Sequence, residues 1–202
     1  MRIWKFLPVD RRLLYGDGRL VEVGEKLTVD GEIVPSSRGI HASRDAMDAL
    51  MYAPGPVAVR GNAAGTIVQG RNNLVCSEFT VLAIVDASEV LRRFARMCAL
   101  DVAHLWSPAP DTVRFLRTGD PALRIKAYKD AASVAYRRVP DDSAARAARA
   151  ARDASWDAGT AAERAAWLAA NAAGFALAET KDRHARRLER MLQQLIRQEV
   201  RR

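Results

Sequence analysis

The residues with the clearest chemical capacity lie around His41. The motif Gly39-Ile40-His41-Ala42 is flanked by Arg38 and Arg44 and is followed by a capped helix. Histidine titrates near neutral pH and can hydrogen-bond or stack on a ligand, and arginines beside a helix start can bind an anion. A lysine in the first predicted strand completes a candidate ligand-binding set, which is Lys5, Arg38, Gly39, His41 and Arg44.

His41, Gly39 and the two arginines also have a purely structural interpretation, which the sequence favours. A histidine on a four-residue strand is often a packing residue whose ring is bonded to a backbone group. Gly39 would then serve a turn rather than a phosphate, and Arg38 and Arg44 would be an exposed pair. The sequence leaves open whether His41 belongs to a site or to packing.

A complete catalytic set is harder to assemble. Glu78 is the best candidate for a carboxylate, and no Ser/His/Asp or Cys/His arrangement stands out. Residues 63–73 are punctuated by Gly and Asn but lack the ending of a P-loop. The two cysteines, Cys76 and Cys98, lie in apolar contexts, so we expect small buried hydrophobes in a reducing cytoplasm. With three scattered histidines they make no zinc pattern, so neither a metal nor a cofactor is expected.

Charge is distributed unevenly along the chain. Residues 1–87 contain 10 Lys+Arg and 10 Asp+Glu, so residues 88–202 carry the whole net charge of +8. Within the second half, Arg146, Arg149 and Arg152 recur at every third position. These three arginines are the candidate surface for an acidic macromolecular partner, a protein in the first place and nucleic acid as the alternative. The structural alternative is a solvated helix surface.

The first half is patterned as strands. Strands are predicted at 2–7, 19–23, 26–29, 39–42, 57–61, 65–68 and 73–85, with the apolar run at 79–85 as the central strand. Asp30-Gly31 is a hairpin signal. One helix, at 44–53, interrupts the series and ends at Pro54-Gly55-Pro56.

The second half is patterned as helices only. Ser88 begins a helix with apolar residues at helical spacing to Leu105, and a second helix covers 111–118. Gly119, Asp120 and Pro121 form a stop–start signal before the next helix, which ends near residue 138. Asp141 or Asp142 caps the Ala/Arg-rich tract, in which Trp156 and Trp167 share a helical face. An amphipathic helix closes the chain.

These patterns predict an α+β fold with a sheet-rich domain at 1–87 and a helical domain at 88–202. No apolar run approaches 18 residues, so no membrane-spanning helix is expected. The opening MRIWKFLPVDRR lacks the apolar region of a signal peptide. We therefore expect a cytoplasmic protein without a membrane partner.

Two family resemblances cover most of the chain. Trp4-Lys5, the Gly39–Ala42 motif and Tyr52-Ala53-Pro54 resemble an uncharacterised domain of phage and prophage proteins. The second half, from LRRFARMCALDVAHLW to RLERMLQQL, is similar to immunity proteins of bacterial polymorphic toxin systems. Neither resemblance implies an established activity.

A further resemblance is to ADP-ribosyltransferases, in which a Gly-Ile-Tyr-Phe-Ala strand and the following helix line the nicotinamide pocket. Here His41 stands where the stacking tyrosine would be, Lys5 or Arg2 would supply a donor, and Glu78 would be the catalytic carboxylate. This resemblance implies NAD as a cofactor.

Three functions are therefore carried forward. The first is a non-catalytic binding protein, of the immunity or counter-defence kind, that uses the basic helical half. The alternatives are an NAD-dependent ADP-ribosyltransferase built on the His41 corner and a nucleic-acid binder that uses the arginine stripe.

Overall fold

The computed structural model describes residues 1–14, 17–137, 142–155, 164, 168–169, 171–172 and 177–201. In this part of the chain there are five strands, all in antiparallel pairs, and six α-helices. The strands all precede residue 87, and five of the six helices follow it. The predicted α+β class is therefore confirmed.

The sheet is built around its last strand. Its members are β1 (Arg2–Leu7), β2 (Lys26–Thr28), β3 (Ile40–Ala42), β4 (Val57–Gln69) and β5 (Leu74–Asp86). The order is β1-β4-β5-β2, and β3 also pairs with β5. The apolar run at 79–85 thus belongs to a central strand, as predicted.

The long hairpin of β4 and β5 curls by means of two register shifts. One lies between Arg60 and Gly61 and the other between Ala64 and Ile67. The strands predicted at 57–61 and 65–68 are therefore one strand, in which Gly65 takes a left-handed φ of 68°. A Cβ atom at Gly61 would lie 2.4 Å from the Phe79 ring, so this position requires glycine.

The segment after β2 departs from the predicted hairpin. β2 pairs with residues 78–80 of β5, and β3 pairs with residues 74–76, both antiparallel. The two strands therefore run in the same direction along one edge of β5, and residues 29–39 form an excursion between them. Gly31, with a φ of 85°, makes a turn within that excursion, and no hairpin forms there because β2 pairs with β5 instead of with the residues after Gly31. The strand predicted at 19–23 forms only an isolated bridge, between Leu20 and Arg12.

Backbone hydrogen bonds also close the sheet on its other side. The N–H of Trp4 donates to the Ser43 oxygen at 2.7 Å, and the N–H of Ser43 donates to the Trp4 oxygen at 2.9 Å. Because Ser43 directly follows β3, β1 is bonded to β4 on one edge and to the end of β3 on the other. The curled sheet encloses an apolar core that includes Ile3, Leu7, Leu27, Val59, Cys76 and Phe79.

The helices follow the predicted order with shifted boundaries. They are α1 (Ala46–Leu50), α2 (Ser88–Asp101), α3 (Pro110–Thr118), α4 (Arg124–Arg137), α5 (Ser143–Ala154) and α6 (Leu177–Val200). The helix predicted at 44–53 is shorter, and the one predicted to reach Leu105 ends at Asp101, before a 3-10 turn at Ala103–Leu105.

The predicted stop and start signals act as their chemistry requires. Gly119 has a φ of 73°, and its N–H donates to the Phe115 oxygen, which ends α3. The Asp120 carboxylate accepts from the N–H of Ala122, and the Asp142 carboxylate accepts from the N–H of Ala144 at the start of α5. Trp156 and Trp167 lie outside the described residues.

The chain divides into two compact units. Unit 1 comprises Met1–Ser88 with Leu188–Arg202, and unit 2 comprises Glu89–Arg187. The sheet lies in unit 1 together with the last 15 residues of the chain, and α3, α4 and α5 lie in unit 2. None of the described helices has the length and apolarity needed to cross a membrane.

Candidate functional site

Strand pairing brings two of the predicted site residues together. The Lys5 ammonium donates to the His41 carbonyl oxygen at 2.9 Å, across 36 positions in sequence. The contact follows from the closure of the sheet, because β1 lies beside the segment that contains β3 and Ser43. We refer to Lys5 and His41, with the Arg38–Arg44 segment, as the His41 corner.

Lys5 is held in an unusual environment for a lysine. Side chains alternate between the two faces of a strand, so Lys5 shares the core face of β1 with the buried Ile3 and Leu7. Burial lowers its pKa from 10.5 to about 8, and interactions with Cys76 and Asp17 only partly oppose this change. Lys5 therefore loses its proton more readily than an exposed lysine does.

The His41 ring is bonded to the backbone. Its Nε2 accepts the N–H of Ser36 at 3.1 Å, so this nitrogen carries no proton and the ring is neutral. Burial lowers the pKa of His41, and the charge on Lys5 lowers it further. A backbone partner is what the structural interpretation of this histidine requires.

The remaining residues of the corner also have internal roles. Gly39 has a φ of 130°, and a Cβ there would lie 2.3 Å from Val75 Cγ1, so backbone conformation and packing both require glycine. Arg38 exchanges backbone hydrogen bonds with Val34. The Arg44 guanidinium donates to the side-chain oxygen of Gln69.

Glu78 is not brought into the His41 corner. Its carboxylate forms an ion pair with Lys26 at 3.0 Å, and it lies opposite Thr28 on β2. His41 lies opposite Val75 on the same strand. Val75 is three residues, or about 10 Å, from Glu78 along that strand. The carboxylate that the ADP-ribosyltransferase resemblance requires is therefore engaged elsewhere in the sheet.

The arginine stripe of α5 faces its neighbour α4. Arg146, Arg149 and Arg152 are half-buried, and the alanines between them are buried. Arg149 donates to the Ala135 carbonyl at 3.4 Å, near the C-terminal end of α4, where carbonyls lack helical partners. The Arg152 guanidinium pairs with Asp153 at 2.8 Å and lies 5.8 Å from the Tyr136 ring centroid.

A set of exposed cations on α3 and α4 was not singled out from the sequence. Five of the six Lys and Arg side chains in 110–137 are exposed and have no side-chain partner among the described residues: Arg114, Arg117, Arg124, Lys129 and Arg137. We call these the α3–α4 cations. Lys and Arg are common on the solvent face of any amphipathic helix, so the sequence pattern alone did not indicate a binding surface here.

The acidic residues of the same helices are all engaged internally. Asp111 forms an ion pair with Lys126 at 3.4 Å. Asp120 caps the turn after α3, and Asp130 accepts from the N–H of Ala109 and from the Thr112 hydroxyl. The exposed surface of α3 and α4 is therefore left with unbalanced positive charge.

A second cluster that sequence analysis missed ties α2 to α6 within unit 2. The Asp101 carboxylate accepts two bonds from Arg187, at 2.9 and 3.2 Å, and lies 3.2 Å from His184 Nε2. His184 is fully buried, and its Nδ1 has no hydrogen-bond partner among the residues that the structure describes. The i, i+3 and i+4 spacing of Lys, Arg and His on α6 is common on helices, so it gave no specific signal.

Both cysteines are buried, as predicted. Burial raises the pKa of Cys76 to about 11 and raises the pKa of Cys98 well above its usual range. A thiol that stays protonated is a poor nucleophile. Among the described residues, no three His, Cys, Asp or Glu side chains are grouped as metal ligands.

The chain was compared with known protein families, curated proteins and solved structures. No family model, no curated protein and no solved structure matches this chain.

Proposed function

We propose that this protein is a non-catalytic binding protein whose helical unit contacts an acidic macromolecule, in the first place a protein. Residues 89–187 carry 18 Lys+Arg and 12 Asp+Glu, and hence most of the net charge of +8. Charge of one sign on one surface accelerates encounter with partners of the opposite sign and selects among them. The immunity and counter-defence resemblances are compatible with this class of function.

The observation that carries the proposal is the pairing pattern on α3 and α4. The three acids of residues 110–137 are used in a cap and in internal contacts, whereas Arg114, Arg117 and the other α3–α4 cations have no side-chain partner in the described chain. Exposed, unpaired cations can be neutralised by a partner without breaking internal contacts. This favours α3 and α4 over the arginine stripe of α5 as the main contact surface.

The stripe of Arg146, Arg149 and Arg152 keeps a secondary place in the proposal. Each of these residues has an internal partner, so a binding partner would compete with α4 and Asp153 for them. Substitutions in the stripe would therefore change stability together with binding.

The test compares two triple charge reversals in the full chain. One variant carries Arg114→Glu, Arg117→Glu and Lys129→Glu, and the matched control carries Arg2→Glu, Arg11→Glu and Arg71→Glu, which reverses three exposed arginines of the sheet-rich half. Fluorescence anisotropy with labelled poly-L-glutamate measures the dissociation constant over a series of salt concentrations. We expect the first variant to bind at least about tenfold more weakly and with a smaller salt dependence.

Three outcomes contradict the proposal. Equal binding by the wild type and the α3–α4 variant would show that these cations do not contact the polymer. Tighter binding of a labelled single-stranded oligonucleotide than of poly-L-glutamate would favour the nucleic-acid alternative. Transfer of label from NAD to a protein, lost in a folded His41→Ala variant, would establish the enzyme alternative.

A further inference from the structure

The outer edge of β4 is open beyond the point where β1 ends its pairing. β1 pairs with residues 57–62 of β4, and the N–H of Ala63 donates to the Met1 oxygen. From Ala64 to Gln69, β4 pairs only with β5 among the residues that the structure describes. Residues 64–69 are exposed apart from the half-buried Val68. We call residues 64–69 the β4 edge.

The hydrogen-bond register identifies which groups of this edge are available. The N–H of Gly70 donates to the Asn73 oxygen, so these two residues form a bonded pair at the hairpin end. Bonded and non-bonded pairs alternate in an antiparallel ladder. Val68 therefore forms a bonded pair with Val75, whereas the neighbouring Ile67 and Gln69 do not bond to β5. The backbone N–H and C=O groups of Ile67 and Gln69 therefore point away from β5.

The side chains of the β4 edge lack the features that usually prevent strand addition. Edge strands are commonly protected by charged residues or by proline. The edge sequence, Ala-Gly-Thr-Ile-Val-Gln, contains neither, and Ile67 is 37% exposed. Two features protect the edge in part: the bulge at Gly65, where the Thr66 N–H is bonded to the Ser77 hydroxyl, and the Arg44 guanidinium, which donates to the Gln69 side chain.

We propose that the β4 edge pairs antiparallel with the same edge of a second copy of this chain. An antiparallel ladder is symmetric about a two-fold axis, so an open edge is complementary to its own copy. With Ile67 on the axis, Ile67 meets Ile67 of the second copy, and the two residues can form a bonded pair through their outward N–H and C=O groups. No charged residue lies within the edge, so its pairing brings no like charges into opposition.

The size of the edge sets the strength of the association. Stable interfaces use about 20–30 residues from each partner, whereas this edge offers six. We therefore expect a weak dimer, with a dissociation constant of about 0.1–1 mM. This inference does not depend on the binding function proposed for α3 and α4.

The test is sedimentation equilibrium of the full chain over a range of concentrations, with substitutions at the two-fold axis. Ile67→Lys places two ammonium groups opposite each other, and we expect the dissociation constant to rise at least about tenfold. Ile125→Lys is the matched control, because Ile125 is 57% exposed on α4 and lies far along the chain from the edge. That control should dimerise like the wild type.

A charge-swap mixture separates edge pairing from a loss of folding. Ile67→Glu alone should also be monomeric, whereas an equimolar mixture with Ile67→Lys should associate again because Lys then faces Glu. A wild type that stays monomeric at about 1 mM overturns the proposal. So does a dimer that persists in Ile67→Lys or fails to return in the mixture.

Discussion

Arg187 forms a two-pronged ion pair with Asp101, with both terminal guanidinium nitrogens within 3.2 Å of the carboxylate oxygens. The same carboxylate lies 3.2 Å from His184 Nε2 and 3.6 Å from the Arg183 guanidinium. One aspartate at the end of α2 is thus surrounded by three basic side chains of α6. This cluster is the densest polar connection between two helices in unit 2 that the structure describes.

Replacing Asp101 by Asn should destabilise the protein by about 2–3 kcal/mol, because the half-buried Arg187 loses its counter-ion and the buried His184 loses a charged acceptor. The free energy of unfolding in urea measures this effect. Asp111→Asn is the control, because Asp111 is half-exposed and its ion-pair partner Lys126 is exposed. Equal effects of the two substitutions would contradict the assigned role of Asp101.

Asp101 should also make stability depend on acid pH. Burial is the largest single influence and raises its pKa, but the hydrogen bonds from His184 and Arg187 together outweigh it, so the pKa lies below the usual 3.8. A carboxylate whose pKa is lowered by folding stabilises the protein at pH values above its pKa in the unfolded chain. This stabilisation is lost as the pH falls through its pKa in the folded protein. The wild type should therefore lose stability below about pH 4 more steeply than Asp101→Asn.

Lys5 should make stability rise with pH in the alkaline range. Its pKa is about 8 in the folded protein, because burial disfavours the ammonium, and 10.5 in the unfolded chain. Between these two pH values the unfolded chain binds more protons than the folded protein does. The free energy of unfolding should therefore rise by about 2–3 kcal/mol as the pH increases across this range. Lys5→Met should abolish the rise in urea titrations, whereas Lys26→Met, at an exposed site, should retain it.

His41→Ala should cost about 1–2 kcal/mol, because the Ser36 N–H loses its acceptor. His41→Gln should recover part of the loss by offering a carbonyl oxygen, and His104→Ala, at an exposed site, should change little. The folded pKa of His41 lies below 6.5, so its contribution is complete above that pH and declines on acidification. Thermal melts at pH 5 and 7.5 measure this decline, and unchanged stability in His41→Ala would contradict it.

Gly39→Ala should destabilise the sheet by more than about 2 kcal/mol, because it combines a φ of 130° with a contact of 2.3 Å to Val75. Gly24→Ala separates the two causes. Gly24 has a φ of 86° but nothing within 4 Å of an added Cβ. Gly24→Ala should therefore lower the free energy of unfolding only through backbone strain, by about 1 kcal/mol. Equal melting temperatures for the two variants would rule out the packing contribution.

The arginine stripe should affect folding more than the α3–α4 cations do. Replacing Arg149 and Arg152 by Gln removes a bond to the Ala135 carbonyl and an ion pair with the largely buried Asp153. We expect a loss of about 1–2 kcal/mol for the pair. Arg114→Gln with Arg117→Gln should change stability by less than about 0.5 kcal/mol. Chemical denaturation of both double variants makes the comparison.

Several signals that act over a few residues were read correctly from the sequence, although the Asp30-Gly31 hairpin and the strand at 19–23 were not. The Gly119-Asp120-Pro121 break, the Asp142 cap and the strand at Arg2–Leu7 each depend on backbone chemistry within one turn or one strand. The separation of strands from helices is a matter of hydrophobic period, which is also local. These properties were therefore available without any tertiary information.

Contacts between distant segments were decided only by the tertiary structure. Lys5 reaches His41 because the sheet closes, and Asp101 reaches His184 and Arg187 across 83 and 86 positions because α2 packs against α6. The sequence indicated His41 as a candidate site residue. It could not show that the Ser36 N–H donates to the His41 ring, or that Lys26 forms an ion pair with Glu78. Residue types and spacing specify which elements form, whereas the partner of each polar side chain depends on how buried faces pack together, and no local pattern records that.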